Sequence, residues 1–183
     1  SIAAAIGTPE MPGADALMKL AVLCWRGAPE ARDLAAAVTR ESYARGQGLA
    51  STLIQYMLVI LELGHGRYED ATIAALNVYD EDPMYVGSIA LADVVEATAR
   101  SGDLVAAHAA LERLAERAPA SGTPWALGLL ARARALLAGD EEADGLYREA
   151  IDHFGSSSPA TDRARAHLLY GEWLRRQRRS HSP

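Results

Sequence analysis

The sequence predicts an all-α chain, a right-handed solenoid of antiparallel helix pairs with about four and a half repeats of 36 residues. Three observations carry that prediction. Half of the 183 residues are apolar, alanine and leucine dominate, and the β-branched runs of a sheet protein are missing, a composition that favours helices. Four alanines, Ala35, Ala71, Ala107 and Ala143, each follow the one before by 36 residues, the self-similarity of a repeat array. Turn residues precede them at matching offsets: Gly27-Ala28-Pro29, Gly64-His65-Gly66, Ser101-Gly102-Asp103 and Gly139-Asp140, each suited to ending one helix and starting the next.

Taken in order, the pattern predicts helices over 14–26, 29–45, 48–63, 67–80, 84–100, 103–117, 123–138, 140–154 and 159–178. Four and seven residues after the repeated alanines stand Thr39 and Ser42, Ala75 and Val78, Leu111 and Leu114, and Tyr147 and Ala150. Those spacings mark one helix face. Upstream, Val22-Leu23, Leu58-Val59, Val94-Val95 and Leu130-Ala131 share one phase, an apolar patch in the first helix of each pair. Pro83 and Pro119, twelve residues past Ala71 and Ala107, are expected to close their hairpins, since proline cannot extend the preceding helix. A small residue at the repeated position lets the two helices of a pair approach closely. The expected layout is a tail or linker over 1–12, four helical hairpins over 13–155, and the first helix of a fifth repeat with a C-terminal tail over 156–183.

Composition also removes several function classes. A formal charge of −6 and a pI near 5.4 argue against a nucleic-acid-binding face. Cys24 is the only cysteine, so no intrachain disulfide or CxxC pair forms, and it reads as a small core residue. Ser1 to Gly13 lacks the basic start and long apolar core of a signal peptide. Apolar runs such as Met57–Leu61 stop at Glu62 and Gly64, short of the roughly 20 residues of a membrane span, and a cytoplasmic protein is expected. Asp152-His153 and His167 lack companion metal ligands. Ser121 and Ser156–Ser158 lie in turn-like stretches without a Gly-x-Ser-x-Gly frame or an evident base. No catalytic, cofactor or metal residue is assigned. The arginines at 163, 165, 175, 176, 178 and 179 are expected to form a solvated face that complements the dipole of the last helix.

The run Gly66-Arg67-Tyr68-Glu69-Asp70-Ala71 through to Pro83 resembles the second half of a tetratricopeptide repeat, although that repeat usually spans about 34 residues and carries a first-helix tryptophan missing here. A broader resemblance rests on Ala44–Leu49, Leu63–Glu69, Leu111–Arg117, Ser121–Gly128, Arg132–Leu137, Leu146–Ile151 and Arg163–Arg176. Together they resemble the helical-repeat region of large ATP-binding LuxR-family transcriptional regulators, over most of residues 14–178. The resemblance implies a non-catalytic regulatory domain from the middle of a protein with an N-terminal ATPase and a C-terminal DNA-binding helix-turn-helix. Neither flanking activity is expected of these residues. The single lysine, Lys19, lies between Met18 and Leu20 rather than in a phosphate-binding loop, and no basic two-helix recognition unit is present.

In a tetratricopeptide-like solenoid the first helices line the concave surface. The register places there Leu20 and Cys24, Tyr56 and Ile60, Ala92 and Glu96, and Gly128 and Arg132, with Ile89 and Trp125 a turn earlier. Tyr56, Ile60, Glu96, Trp125 and Arg132 are the candidate groove residues for a small effector or a protein segment. A stand-alone interaction scaffold is the alternative reading. Counting 36 from Ala143 reaches Arg179, so the last repeat is expected to be unfinished, with the stripe Leu168, Leu169, Tyr170, Trp173 and Leu174 partly exposed and prone to self-association.

Overall fold

A computed structural model describes residues 13–46, 48–83, 86–155 and 158–180; the tail over 1–12 lies outside the described residues. Among the described residues the chain is all-helical, with nine helices and no strand. They are α1 (Ala14–Trp25), α2 (Ala31–Ala44), α3 (Gly48–Gly64), α4 (Tyr68–Glu81), α5 (Val86–Ser101), α6 (Leu104–Ser121), α7 (Pro124–Leu137), α8 (Asp140–Phe154) and α9 (Ala160–Ser180). The chain divides into two compact units, Ser1–Ala90 and Leu91–Pro183, and the division falls inside α5.

In the first unit α1 and α2 pack on each other and on α3, and α3 packs on α4. Leu20, Cys24, Ala31, Ala35 and Val38 meet Ile54 and Leu61 in one core. The window Gly48–His65 has a mean hydropathy of 1.2 and by length and composition could cross a membrane. Its packing against three neighbouring helices accounts for that apolarity, since a helix surrounded by others is apolar on more than one face. In the second unit α7 packs on α6 and α8, and α8 on α9. Ala135, Ala143, Tyr147 and Leu169 form its core, with Tyr170 and Trp173 against them.

The 36-residue register reappears as burial. Ala35, Ala71, Ala107 and Ala143 are 2%, 0%, 0% and 1% exposed, and seven residues later Ser42, Val78, Leu114 and Ala150 are all buried. The first-helix patches agree less fully: Val22 is 47% exposed and Leu23 and Leu58 are half-buried, whereas Val59, Val94, Val95, Leu130 and Ala131 are buried.

The helix limits follow local chemistry. Asp103 accepts the Ala106 N–H at 3.0 Å and Thr123 that of Ala126 at 3.2 Å, each satisfying an orphan first-turn donor. Pro119 does not end its helix as expected; α6 continues through it to Ser121. Proline in a last turn forfeits only one hydrogen bond. The stop is Gly122, whose left-handed backbone (φ 62°) turns its N–H to Ala118 O at 3.1 Å, a conformation that disfavours side chains. Pro83 does lie beyond its helix, after Asp82.

Gly128 on α7 marks a second close approach, because a Cβ there would lie 2.8 Å from the ring of Phe154 on α8. Phe154 is fully buried and has no room to yield. Gly128→Ala is therefore expected to lower stability by about 1–3 kcal/mol, measured as a fall in urea midpoint with an unchanged m-value.

Candidate functional site

The second unit carries an ionic network on α5, α7 and α9. Arg132 sits in the run Leu129–Ala133, every residue of which is buried, and is itself 1% exposed. A guanidinium in such a place requires counter-charges. It donates to Asp93 Oδ1 at 2.6 Å and lies 3.9 Å from Asp162 Oδ1. Asp162 also accepts the indole N–H of Trp125 at 2.9 Å. Glu96, fully buried, accepts both a 3.0 Å bond from Arg165 Nε and a second from the same guanidinium, the paired geometry that makes such bonds strong. Arg100 lies 3.6 Å from Glu96 and pairs with Glu172.

Burial alone would lower the basicity of Arg132, but Asp93, Glu96 and Asp162 outweigh it and hold the group above its ordinary value. Arg165 is held up likewise against its own burial, chiefly by Glu96. Asp162 moves the other way from a normal salt-bridged acid: burial pushes its carboxyl up, and the bond from Trp125 and the charge of Arg132 offset only part of that. Among the described residues the buried donors Arg132 Nε, Tyr147 Oη and Trp173 Nε1 have no hydrogen-bond partner, and burial pushes the Tyr147 phenol up to about 12.

This arrangement corrects the expected groove. Glu96 and Arg132 do not line an open surface; each is buried in an ion pair, Glu96 with Arg165 and Arg132 with Asp93, and their phase-mates Ala92 and Gly128 are buried too. Trp125 is half-buried and its N–H is taken by Asp162. Tyr56 and Ile60 are half-buried in the first unit, while Leu20 and Cys24 are core residues there. Arg165, expected on a solvated face, is the principal partner of Glu96, and Arg163 donates to Gly155 O at 2.8 Å. The expected exposed stripe is likewise mostly covered. Leu169 is 1% exposed, Tyr170, Trp173 and Leu174 are half-buried, and only Leu168, at 48%, is exposed. Aromatic stacking explains the cover: Tyr170 lies 5.5 Å from Tyr147 and 6.0 Å from Trp173, centroid to centroid.

Sequence reasoning missed Asp93, Asp162 and Glu172. Asp93 and Glu96 interrupt an otherwise apolar helix at a spacing of three, and Asp162 and Arg165 repeat that spacing on α9. Ionisable pairs on one face of an apolar helix were the available signal.

In the first unit Glu62, 3% exposed, accepts from Arg32 Nε at 2.8 Å and from Arg67; Arg32 also reaches Asp70 at 2.6 Å. Burial pushes the Glu62 carboxyl up, but the two guanidiniums more than offset it and the net direction is down. Beside this cluster is a cavity of about 360 Å³ lined by Gly27, Pro29, Arg32, Leu61, His65 and Arg67, among others. His65 Nε2 meets Gly27 O at 3.2 Å, and Nδ1 meets the Arg67 guanidinium at 2.6 Å. Since the guanidinium only donates, Nδ1 accepts and Nε2 carries the hydrogen.

The remaining chemistry-bearing residues are dispersed. Burial, then the Glu62 charge, pushes the Cys24 thiol up to about 11, the opposite of an activated thiolate. Among the described residues no group of three or more His, Cys, Asp or Glu is placed to hold a metal. His153 is 3.7 Å from Glu149 one turn away, and Ser121 bonds Thr123 at a helix start. Ser156 and Ser157 lie outside the described residues. Comparison with protein families, curated proteins and solved structures gives no match.

Two outcomes follow. Glu96→Ala leaves the partly buried Arg165 guanidinium without its carboxylate partner and is expected to cost about 3–5 kcal/mol, read from urea unfolding. Glu62, whose folded-state value is depressed, stabilises fully above its ordinary value of 4.5 and loses that contribution as pH falls through the lower folded value. Wild type should therefore exceed Glu62→Gln in stability at about pH 7, with the gap closing toward about pH 3; a pH-independent gap would contradict this.

Proposed function

We propose that the chain is a non-catalytic helical-repeat interaction domain, each unit a stretch of right-handed tetratricopeptide-like solenoid, serving as the regulatory middle of a LuxR-type transcriptional regulator. The observation that carries the repeat reading is the burial of Ala35, Ala71, Ala107 and Ala143 at one register. The order of contacts agrees with it: α1 and α2 both meet α3, and α3 meets α4, as in stacked helix pairs. The regulatory assignment rests on the sequence resemblance, and a cytoplasmic location goes with it.

The ionic network bears on what the domain binds. In the second unit, the first-helix face that would take a small effector is filled by the chain's own side chains, Arg132 and Arg165 against Asp93, Glu96 and Asp162. That favours protein contact and self-association over effector uptake at this face. The same observation supports the second reading, a stand-alone interaction scaffold. Nucleic-acid contact is assigned to neither.

The full gene product distinguishes them. A phosphate-binding loop upstream and a helix-turn-helix downstream are expected of the regulator; their absence gives the scaffold. For these residues themselves, magnesium–ATP is expected to leave the melting temperature unchanged, whereas saturating binding would raise stability by about 2.7 kcal/mol at a hundredfold excess over Kd.

A further inference from the structure

The cavity of about 360 Å³ in the first unit lies between two successive turns, and all its walls come from residues 27–67. Gly27, Pro29 and Leu61 supply an apolar part, and Leu61 is buried. The rest of the wall is basic. Among the described residues Arg32, His65 and Arg67 line it, and no carboxylate does. The volume falls at the lower end of the range of small-molecule sites, about 300–1,000 Å³.

Glu62 fixes both guanidiniums from behind the wall. It is buried and accepts from Arg32 Nε at 2.8 Å and from Arg67 Nε. Arg32 Nη2 reaches Asp70, and Arg67 Nη2 reaches His65 Nδ1. These contacts use only Nε and Nη2, which leaves Nη1 of each arginine to a ligand. A guanidinium held along one edge by a buried carboxylate presents its remaining N–H groups already oriented, and its planar fork matches a second carboxylate. Orientation before binding removes part of the entropy cost of taking up a ligand.

The charge at the wall suits a monoanion. Two guanidiniums against the one buried carboxylate leave a single positive charge there. Two helix starts add to it: Arg32 stands in the first turn of α2 and Arg67 at the N-cap of α4, and neither N-cap side chain bonds the first-turn N–H groups. The same first turns carry Asp33, Glu69 and Asp70, while Arg26 and Glu30 stand on either side of the Gly27–Pro29 turn. These five are exposed and outside the wall. Water and salt screen such charges over about 8–10 Å, so they weaken the site without cancelling it.

We propose that this cavity binds a small organic monocarboxylate, with its carboxylate on Arg32 and Arg67 and its apolar body on Leu61 and Pro29. The site stands on these residues alone, and it holds whether the chain is the middle of a regulator or a separate scaffold. A ligand there touches both the α1–α2 turn and the α3–α4 turn. It therefore stabilises the first unit in proportion to its occupancy.

Benzoate is the probe, titrated at constant ionic strength and followed by two-dimensional amide NMR. The amides of Gly27, Ala28 and Arg67 should shift along one saturable curve with a Kd on the order of 1 mM. Benzamide has the same shape without the charge, and inorganic phosphate has charge without the apolar body; each should bind at least about tenfold more weakly. Arg67→Gln should weaken benzoate by about tenfold or more. Because that change also takes a partner from Glu62, Ala28→Trp is the second variant: it fills the cavity, leaves every charge in place, and should abolish the shifts. Where a variant loses its helical circular dichroism, the three probes on wild type decide alone. The proposal is overturned by the absence of a saturable benzoate shift, by shifts centred on other residues, or by benzamide or phosphate binding as well as benzoate. A folded variant that binds benzoate as wild type does overturns it too.

Discussion

The structure depends on small side chains buried at a fixed register along its helices. Ala71 and Ala107 are wholly buried, and Ala35 and Ala143 nearly so. Helix axes approach to about 8–10 Å depending on the residues at the contact, and alanine sets the near end of that range. At Gly128 the approach is closer still, with the Phe154 ring seated where a Cβ would stand. Larger residues one or two turns along, Val78, Leu114 and Tyr147, are buried with them.

Helices and their register were legible because they rest on local chemistry and a fixed period. Glycine turns and the alanine step mark the helix pairs, and Asp103 and Thr123 supply caps where a helix must start. Pro119 shows where the local rule gives out. A proline stops a helix by clash and by a missing donor, but near a C-terminus little ladder is left to lose, and the real terminator was Gly122.

The candidate site was far less legible. Phase alone put Glu96 and Arg132 on an open face, because position within a repeat says which way a side chain points and not what stands opposite. Their partners Asp93, Asp162 and Arg165 come from other helices, up to 69 residues away in sequence. The same limit applies to Leu169, whose burial depends on Tyr147, Tyr170 and Trp173 assembling beside it. Buried charge of this kind stabilises little in itself but penalises any packing that separates the partners. In this unit it ties α5, α7 and α9 to one another.

The account's central claim is that four alanines at one register are the crossing points of successive helix pairs. Urea unfolding of Ala35→Leu, Ala71→Leu, Ala107→Leu and Ala143→Leu beside Ala37→Leu, an exposed position on α2, measures it most directly. Each of the four should lose about 1–3 kcal/mol, and the control should stay within about 0.5 kcal/mol of wild type. Four variants as stable as the control would contradict the claim.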